Sequence, residues 1–181
     1  ANFNKVYEAL GVGGLDAVNT PVFGPAGQII GGESLINRLA KILRTRRLTD
    51  ERADQVQTST GVPSVDRAGG VALPPLLAIG ASTGGPEAVA QVLANQTPPG
   101  PVVVIQHIGS DFADGFATWL RSRTGLPTTT AVDGVTLQAG HVYVAKSHDH
   151  LIIRPDRSLA YTIEPKNYVY RPSVDVFFES L

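Results

Sequence analysis

A chain of 181 residues with 43% hydrophobic and 17% charged residues has the composition of an ordinary globular protein with room for one sizeable core. Its 15 Lys and Arg against 16 Asp and Glu leave a formal net charge of −1, which gives no electrostatic footprint for nucleic acid or an anionic membrane. Cysteine is absent, which excludes disulfides, thiolate metal sites and a cysteine nucleophile.

The N-terminal stretch ANFNKVYEAL has neither the basic start nor the continuous apolar run of a secretory signal, and no later run could cross a bilayer. A soluble cytoplasmic protein is the expectation. Asn4 to Leu10 reads as a short helix, followed by a glycine turn and the apolar run Leu15-Asp16-Ala17-Val18, read as a strand. A second helix follows, with Leu35, Ile36, Leu39, Ile42 and Leu43 on one face. Helix, strand and helix in so little chain cannot close a core of their own, so residues 1–46 are expected to be the end of a larger α/β domain. Residues 47–74 are rich in Thr, Ser, Gly, Asp and Pro and read as a linker with helical character in its first half.

From residue 75 the pattern sharpens. Leu76 to Ala81 reads as a buried strand, Pro86 to Asn95 as a helix opened by proline, and Val102 to Gln106 as a second buried strand. Two apolar strands joined by a helix imply a parallel pair with a right-handed crossover. Phe112 to Arg123 is a helix with Phe112, Phe116, Trp119 and Leu120 on one face. Shorter strands are expected at Val142–Ala145, Leu151–Arg154 and Leu159–Ile163, the last two joined as an antiparallel hairpin by Pro155-Asp156-Arg157-Ser158. Pro172-Ser173 opens a last helix, which Leu181 interrupts after about two turns. Both ends read as cut, so a fragment of a longer protein is expected.

Gly80-Ala81-Ser82-Thr83-Gly84 has the G-x-S-x-G spacing of a nucleophile elbow, and the strand–turn–helix context that the motif requires surrounds it. Backbone amides of Thr83, Gly84 and Gly85 are expected as open donors that could hold an oxyanion. GASTGG also resembles a glycine-rich phosphate loop, although Pro86 stands where a third glycine would allow close packing and no acidic residue ends the second strand. A turn with an incidental serine is the third reading. A serine nucleophile needs a base, and His107 ends the strand expected beside that of Ser82. In a parallel sheet both residues emerge at the carboxyl edge, on strands about 4.8 Å apart. His141 is a weaker candidate, and His148-Asp149-His150 has too few ligands for a metal site. Asp111, Asp114, Asp133, Asp149, Asp156 and Asp175 are the available aspartates, and none ends an apolar strand as a triad acid would. The acid is expected to be missing, and no cofactor or metal ion is expected.

IGASTGGPEAV, VVVIQHI, a GF-containing helix, AGHVYVA and YRPSVDVFF, in that order from Leu76 to Leu181, resemble the catalytic domain of the CheB-type chemotaxis methylesterases. VYEALGVGGLDAVNTPVFG and the helix around Leu39 resemble the end of a response-regulator receiver domain. The resemblance implies three parts: receiver end at 1–46, linker at 47–74 and catalytic domain at 75–181. It implies a doubly wound, mainly parallel sheet with an antiparallel hairpin. The implied activity is hydrolysis of glutamyl methyl esters, and often deamidation of glutamines, on the cytoplasmic helices of methyl-accepting chemoreceptors. A histidine kinase would phosphorylate the parent receiver. Carried over by motif, Ser82 is the nucleophile and His107 the general base. Thr83 and Gly84 serve the oxyanion, and Tyr170, Arg171, Ser173 and Asp175 border the cleft. The sequence departs from the family in three ways. The acid's motif is not present, Tyr170 stands where a histidine is usual, and Thr20 takes the place of the receiver's lysine. A non-catalytic regulatory module and a nucleotide-binding domain remain open alternatives.

Overall fold

The computed structural model describes residues 3–52 and 75–181, so residues 53–74 of the expected linker lie outside the described residues. The elements are α1 (Phe3–Gly11), β1 (Val22–Phe23), β2 (Ile29–Ile30), α2 (Gly32–Arg52), β3 (Leu77–Ala81), α3 (Gly85–Leu93) and β4 (Val102–Gln106). They continue with α4 (Ser110–Thr124), β5 (Thr128–Thr130), β6 (Val142–Val144), β7 (His150–Ile153), β8 (Leu159–Thr162) and α5 (Val174–Glu179). The chain forms two compact units, Ala1–Val18 with Pro74–Leu181, and Asn19–Leu73.

In the larger unit four parallel strands lie in the order β3-β4-β6-β5, and β7 pairs antiparallel with β8. The crossover expected between β3 and β4 is present, with α3 between them. β4 is buried along its whole length, as its run Val-Val-Val-Ile-Gln requires of a central strand covered on both faces. Successive residues point to opposite faces, so β4 feeds two cores. Val102 and Val104, with Val142 and Val144 of β6, pack under Leu93, Phe116, Trp119 and Leu120 of α3 and α4. Val103 and Ile105, with Tyr143, pack against Leu151, Leu159 and Phe177 of the hairpin and α5. Helices thus cover one face of the sheet, and the β7–β8 hairpin with α5 covers the other.

β3 differs from the expectation of a buried strand. It pairs with β4 on one side and stands at the sheet edge among the described residues, with Leu77 43% exposed. β5 was not expected at all; Thr128-Thr129-Thr130 is β-branched but too short and polar to show an apolar run.

α1 packs on α3 and α4 within this unit. Tyr7 is fully buried between Phe116 and Trp119, at ring-centroid distances of 5.6 Å to each, and its hydroxyl donates to the Phe112 carbonyl at 2.7 Å. The strand expected at Leu15–Val18 does not form. That stretch is irregular, and the Asp16 carboxylate accepts from the Ala17 amide, a local bond that competes with strand pairing.

In the smaller unit, β1 and β2 form an antiparallel hairpin and α2 follows it through Arg52, taking in the first residues of the expected linker. The apolar face expected on α2 remains exposed at Ile36, Leu39 and Leu43.

Candidate active site

β3 ends at Ala81, so Ser82 emerges at the carboxyl edge of the sheet, and three residues later α3 begins. The turn between them is closed by the Gly85 amide, which donates to the Ser82 carbonyl at 2.8 Å. Gly84 sits at φ 74°, left-handed backbone that a side chain would strain, which is why glycine stands there. Gln106 supports the same carbonyl from below: its Nε2 donates to Ser82 O at 2.9 Å, and the residue is only 2% exposed. Its Oε1 is buried with no hydrogen-bond partner among the described residues, and a Cβ on Gly85 would lie 2.0 Å from that oxygen. Nothing in the sequence marks Gln106, because a glutamine ending an apolar strand looks like any other polar terminus.

Parallel pairing places Ala81 opposite Gln106, so Ser82 and His107 leave neighbouring strands side by side. The His107 amide donates to the Ala81 carbonyl at 3.0 Å, extending the pairing by one residue. The result is a contact of 3.3 Å between His107 Nδ1 and Ser82 Oγ. For Nδ1 to accept the serine proton, the imidazole must carry its own proton on Nε2, an atom buried from solvent. Ser82 itself is exposed. Over the imidazole lies Tyr170, ring centroids 4.1 Å apart and planes within 6° of parallel.

The amides of the turn are less open than the sequence implies. Gly84 N–H donates to the Leu10 carbonyl at the end of α1 at 3.1 Å, and Gly85 N–H is used within the turn. The Leu10 oxygen therefore sits on the donor expected to hold an oxyanion. Thr83 is exposed beside Ser82.

The remaining expected residues divide into near and far. The Arg171 guanidinium donates to the Lys166 carbonyl, and Ser173 caps α5 through its Oγ to Val176 N. Val174 fills the space a Cβ on Gly80 would need, so the segment after Tyr170 packs directly on the serine strand. Asp175 is exposed in the first turn of α5.

His150 is fully buried, with Nε2 donating to Pro165 O at 3.0 Å and Nδ1 accepting from Ser173 N at 3.1 Å. The two nitrogens thereby hold the chain on either side of Tyr170, at Pro165 and at Ser173. His148 meets Ser110 Oγ at 3.1 Å, and His141 meets Thr129 Oγ1 at 3.0 Å at the amino end of β6, away from Ser82. Burial lowers the pKa of His141. Among the aspartates, Asp114 binds Lys146 and Thr130, bonds that lower its pKa, while Asp133 binds Arg154 and the Tyr161 amide. Asp156 is taken up by Ser158.

Residues 77–181 match the family model described as CheB methylesterase. The chain is 43% identical over 183 residues to protein-glutamate methylesterase/protein-glutamine glutaminase 4 of Burkholderia thailandensis, covering 100% of this chain and 52% of that protein. It is 41% identical over 183 residues to protein-glutamate methylesterase/protein-glutamine glutaminase 3 of Pseudomonas aeruginosa, covering 99% and 52%. The chain thus spans about half the length of the curated relatives it matches. Among solved structures it is similar to the CheB methylesterase catalytic domain of Thermotoga maritima, with a TM-score of 0.56 and 29% identity over 60% of each chain.

Proposed function

Because the chain belongs to the CheB methylesterase family, we propose that it carries the nucleophile and base of a protein-glutamate methylesterase acting on the cytoplasmic helices of methyl-accepting chemoreceptors. The observation that carries this reading is the Ser82 Oγ to His107 Nδ1 contact of 3.3 Å at the carboxyl edge of the sheet. Ser82 attacks the ester carbonyl while its proton passes to Nδ1. The tetrahedral intermediate collapses with cleavage of the C–O bond to the methoxy group, which takes the proton from the imidazolium and leaves as methanol. Water, deprotonated by His107, then attacks the acyl-enzyme; the receptor's glutamate carboxyl group is released, and the serine oxygen takes the proton back from the imidazolium. With a glutamine side chain the same steps release ammonia. Thr83 and Gly84 supply oxyanion contacts, and Tyr170, Arg171, Ser173 and Asp175 border the cleft.

Residues 1–46 are proposed as the end of a receiver domain, 47–74 as the linker and 75–181 as the catalytic domain of a cytoplasmic protein phosphorylated by a histidine kinase. The receiver gates the site. In support, Leu10, in the segment proposed as receiver, holds the Gly84 amide that an oxyanion would use. For Gly84 to serve catalysis, the Leu10 carbonyl must withdraw.

The test follows methanol release from a methylated chemoreceptor fragment by the full-length protein. Ser82→Ala and His107→Ala are each expected to lower it on the order of 10³-fold or more. Release that survives Ser82→Ala removes the nucleophile and the reading with it.

A further inference from the structure

We propose that Tyr170 is a positioning residue for the general base, its ring face holding the plane of His107 and stabilising the imidazolium formed when Ser82 gives up its proton. The inference rests on the reading of Ser82 and His107 as nucleophile and base, and names a further residue that this chemistry needs.

Stacking suits the task in a way that a hydrogen bond would not. A base must exchange a proton in the plane of its ring, so a partner bonded to Nδ1 would occupy the lone pair that Ser82 uses. Tyr170 instead covers the flat face, at 4.1 Å and within 6° of parallel, and leaves the Nδ1 edge on Ser82 Oγ. Rotation of the imidazole out of its plane would drive it into the phenol ring. The phenol face is the negative part of the ring quadrupole, so the attraction strengthens as the imidazole becomes cationic. Preference for the charged state is what a general base needs in the transition state.

The support matters only if Tyr170 is itself held, and its neighbours hold it. Arg171, the next residue, is tied through its guanidinium to the Lys166 carbonyl. Two residues further, the Ser173 amide is bonded to buried His150, whose other nitrogen holds the Pro165 carbonyl. Val174 then packs into the space over Gly80 on the serine strand. The loop carrying Tyr170 is therefore pinned on both sides to the body that carries Ser82, and the ring reaches His107 as part of that body.

The experiment uses the full-length protein and two readouts, the rate at which a fluorophosphonate labels Ser82 and the kcat and KM of methanol release. Tyr170→Phe keeps the ring face and is expected to label and turn over within about twofold of wild type. Tyr170→Leu is expected to slow labelling and kcat about tenfold while KM stays within about twofold. Should the Leu variant fail to fold, Tyr170→Gln replaces it with the same expectation. Labelling of the Leu variant, or of the Gln variant in its place, at the wild-type rate overturns the proposal, as does a Phe variant as slow as the Leu variant, which would assign the effect to the hydroxyl. Labelling that follows the ring in a protein that releases no methanol overturns the methylesterase reading and leaves the role of Tyr170 standing. A wild type whose Ser82 is not labelled overturns both.

Discussion

Ser82 and His107 stand out in the sequence because each carries its own local signal, a G-x-S-x-G turn and a histidine ending an apolar strand. Their contacts across the fold carry none, although the motif around Tyr170 marks that residue as one bordering the cleft. Gln106 supports the serine turn from below, and Tyr170 covers the base from a loop 63 residues further along the chain. Such contacts depend on side chains meeting across the fold, which spacing along one segment cannot reveal. Replacing Gln106 with Leu removes one of the two donors to the Ser82 carbonyl and leaves the Gly85 amide as the other, at a cost of about 0.5–1.5 kcal/mol. The Gln106→Leu protein is expected to melt several degrees lower, with kcat reduced because the turn no longer holds Ser82 in place. A variant with unchanged melting temperature and kcat would show that the amide is idle. Gly85→Ala should be as damaging, since its Cβ would collide with Gln106 Oε1 at 2.0 Å.

Among the elements, the helices and the central strands were legible from periodicity and from continuous apolar runs. β5 was not, nor were the two-residue strands β1 and β2, because strands so short leave no pattern. The placement of α1 was also illegible. Its amphipathic face says that it leans on something, and only the structure shows Tyr7 inserted between Phe116 and Trp119. Burial, aided by the charge of Asp114, pushes the Tyr7 pKa up to about 12. A raised folded value means that this contribution is complete below the unfolded value of about 10 and lost as pH rises from there toward 12. Thermal stability is therefore expected to fall between those pH values in wild type, and less in Tyr7→Phe; equal losses would remove Tyr7 as the cause. At neutral pH, Tyr7→Phe removes the bond to the Phe112 carbonyl and should loosen α1 by about 1 kcal/mol. A loosened α1 frees the Gly84 amide more often, so kcat/KM for methanol release is expected to rise as much as about fivefold. A fall or no change would count against gating by this helix.

For the whole molecule, the sequence indicates the parallel sheet and the hairpin correctly but not how the faces are covered. One central strand serves both cores, so β4 is where a single truncation is felt on both sides of the sheet. Ile105→Ala is expected to cost about 2–5 kcal/mol, and Ile105→Val about 0.5–1.5, as read from urea midpoints. A cost near zero for Ile105→Ala would mean that the hairpin face repacks freely. The segments least legible at this scale lie before residue 75. There a short helix packs within the larger unit while the hairpin and α2 form a unit of their own, a division that composition does not announce.

The bond between the Leu10 carbonyl and the Gly84 amide has a kinetic consequence. On the proposed reading of the serine turn, a peptide carbonyl in that position is a tethered mimic of the oxyanion that the Gly84 amide would hold. Its local concentration is set by the chain and cannot be diluted away. Such an internal competitor is surmountable: enough substrate displaces it, and maximal velocity is untouched. If the proposed receiver gate acts through this bond, its restraint lies in the apparent KM, and the response to phosphorylation would be greatest where substrate is scarce and least where it is abundant.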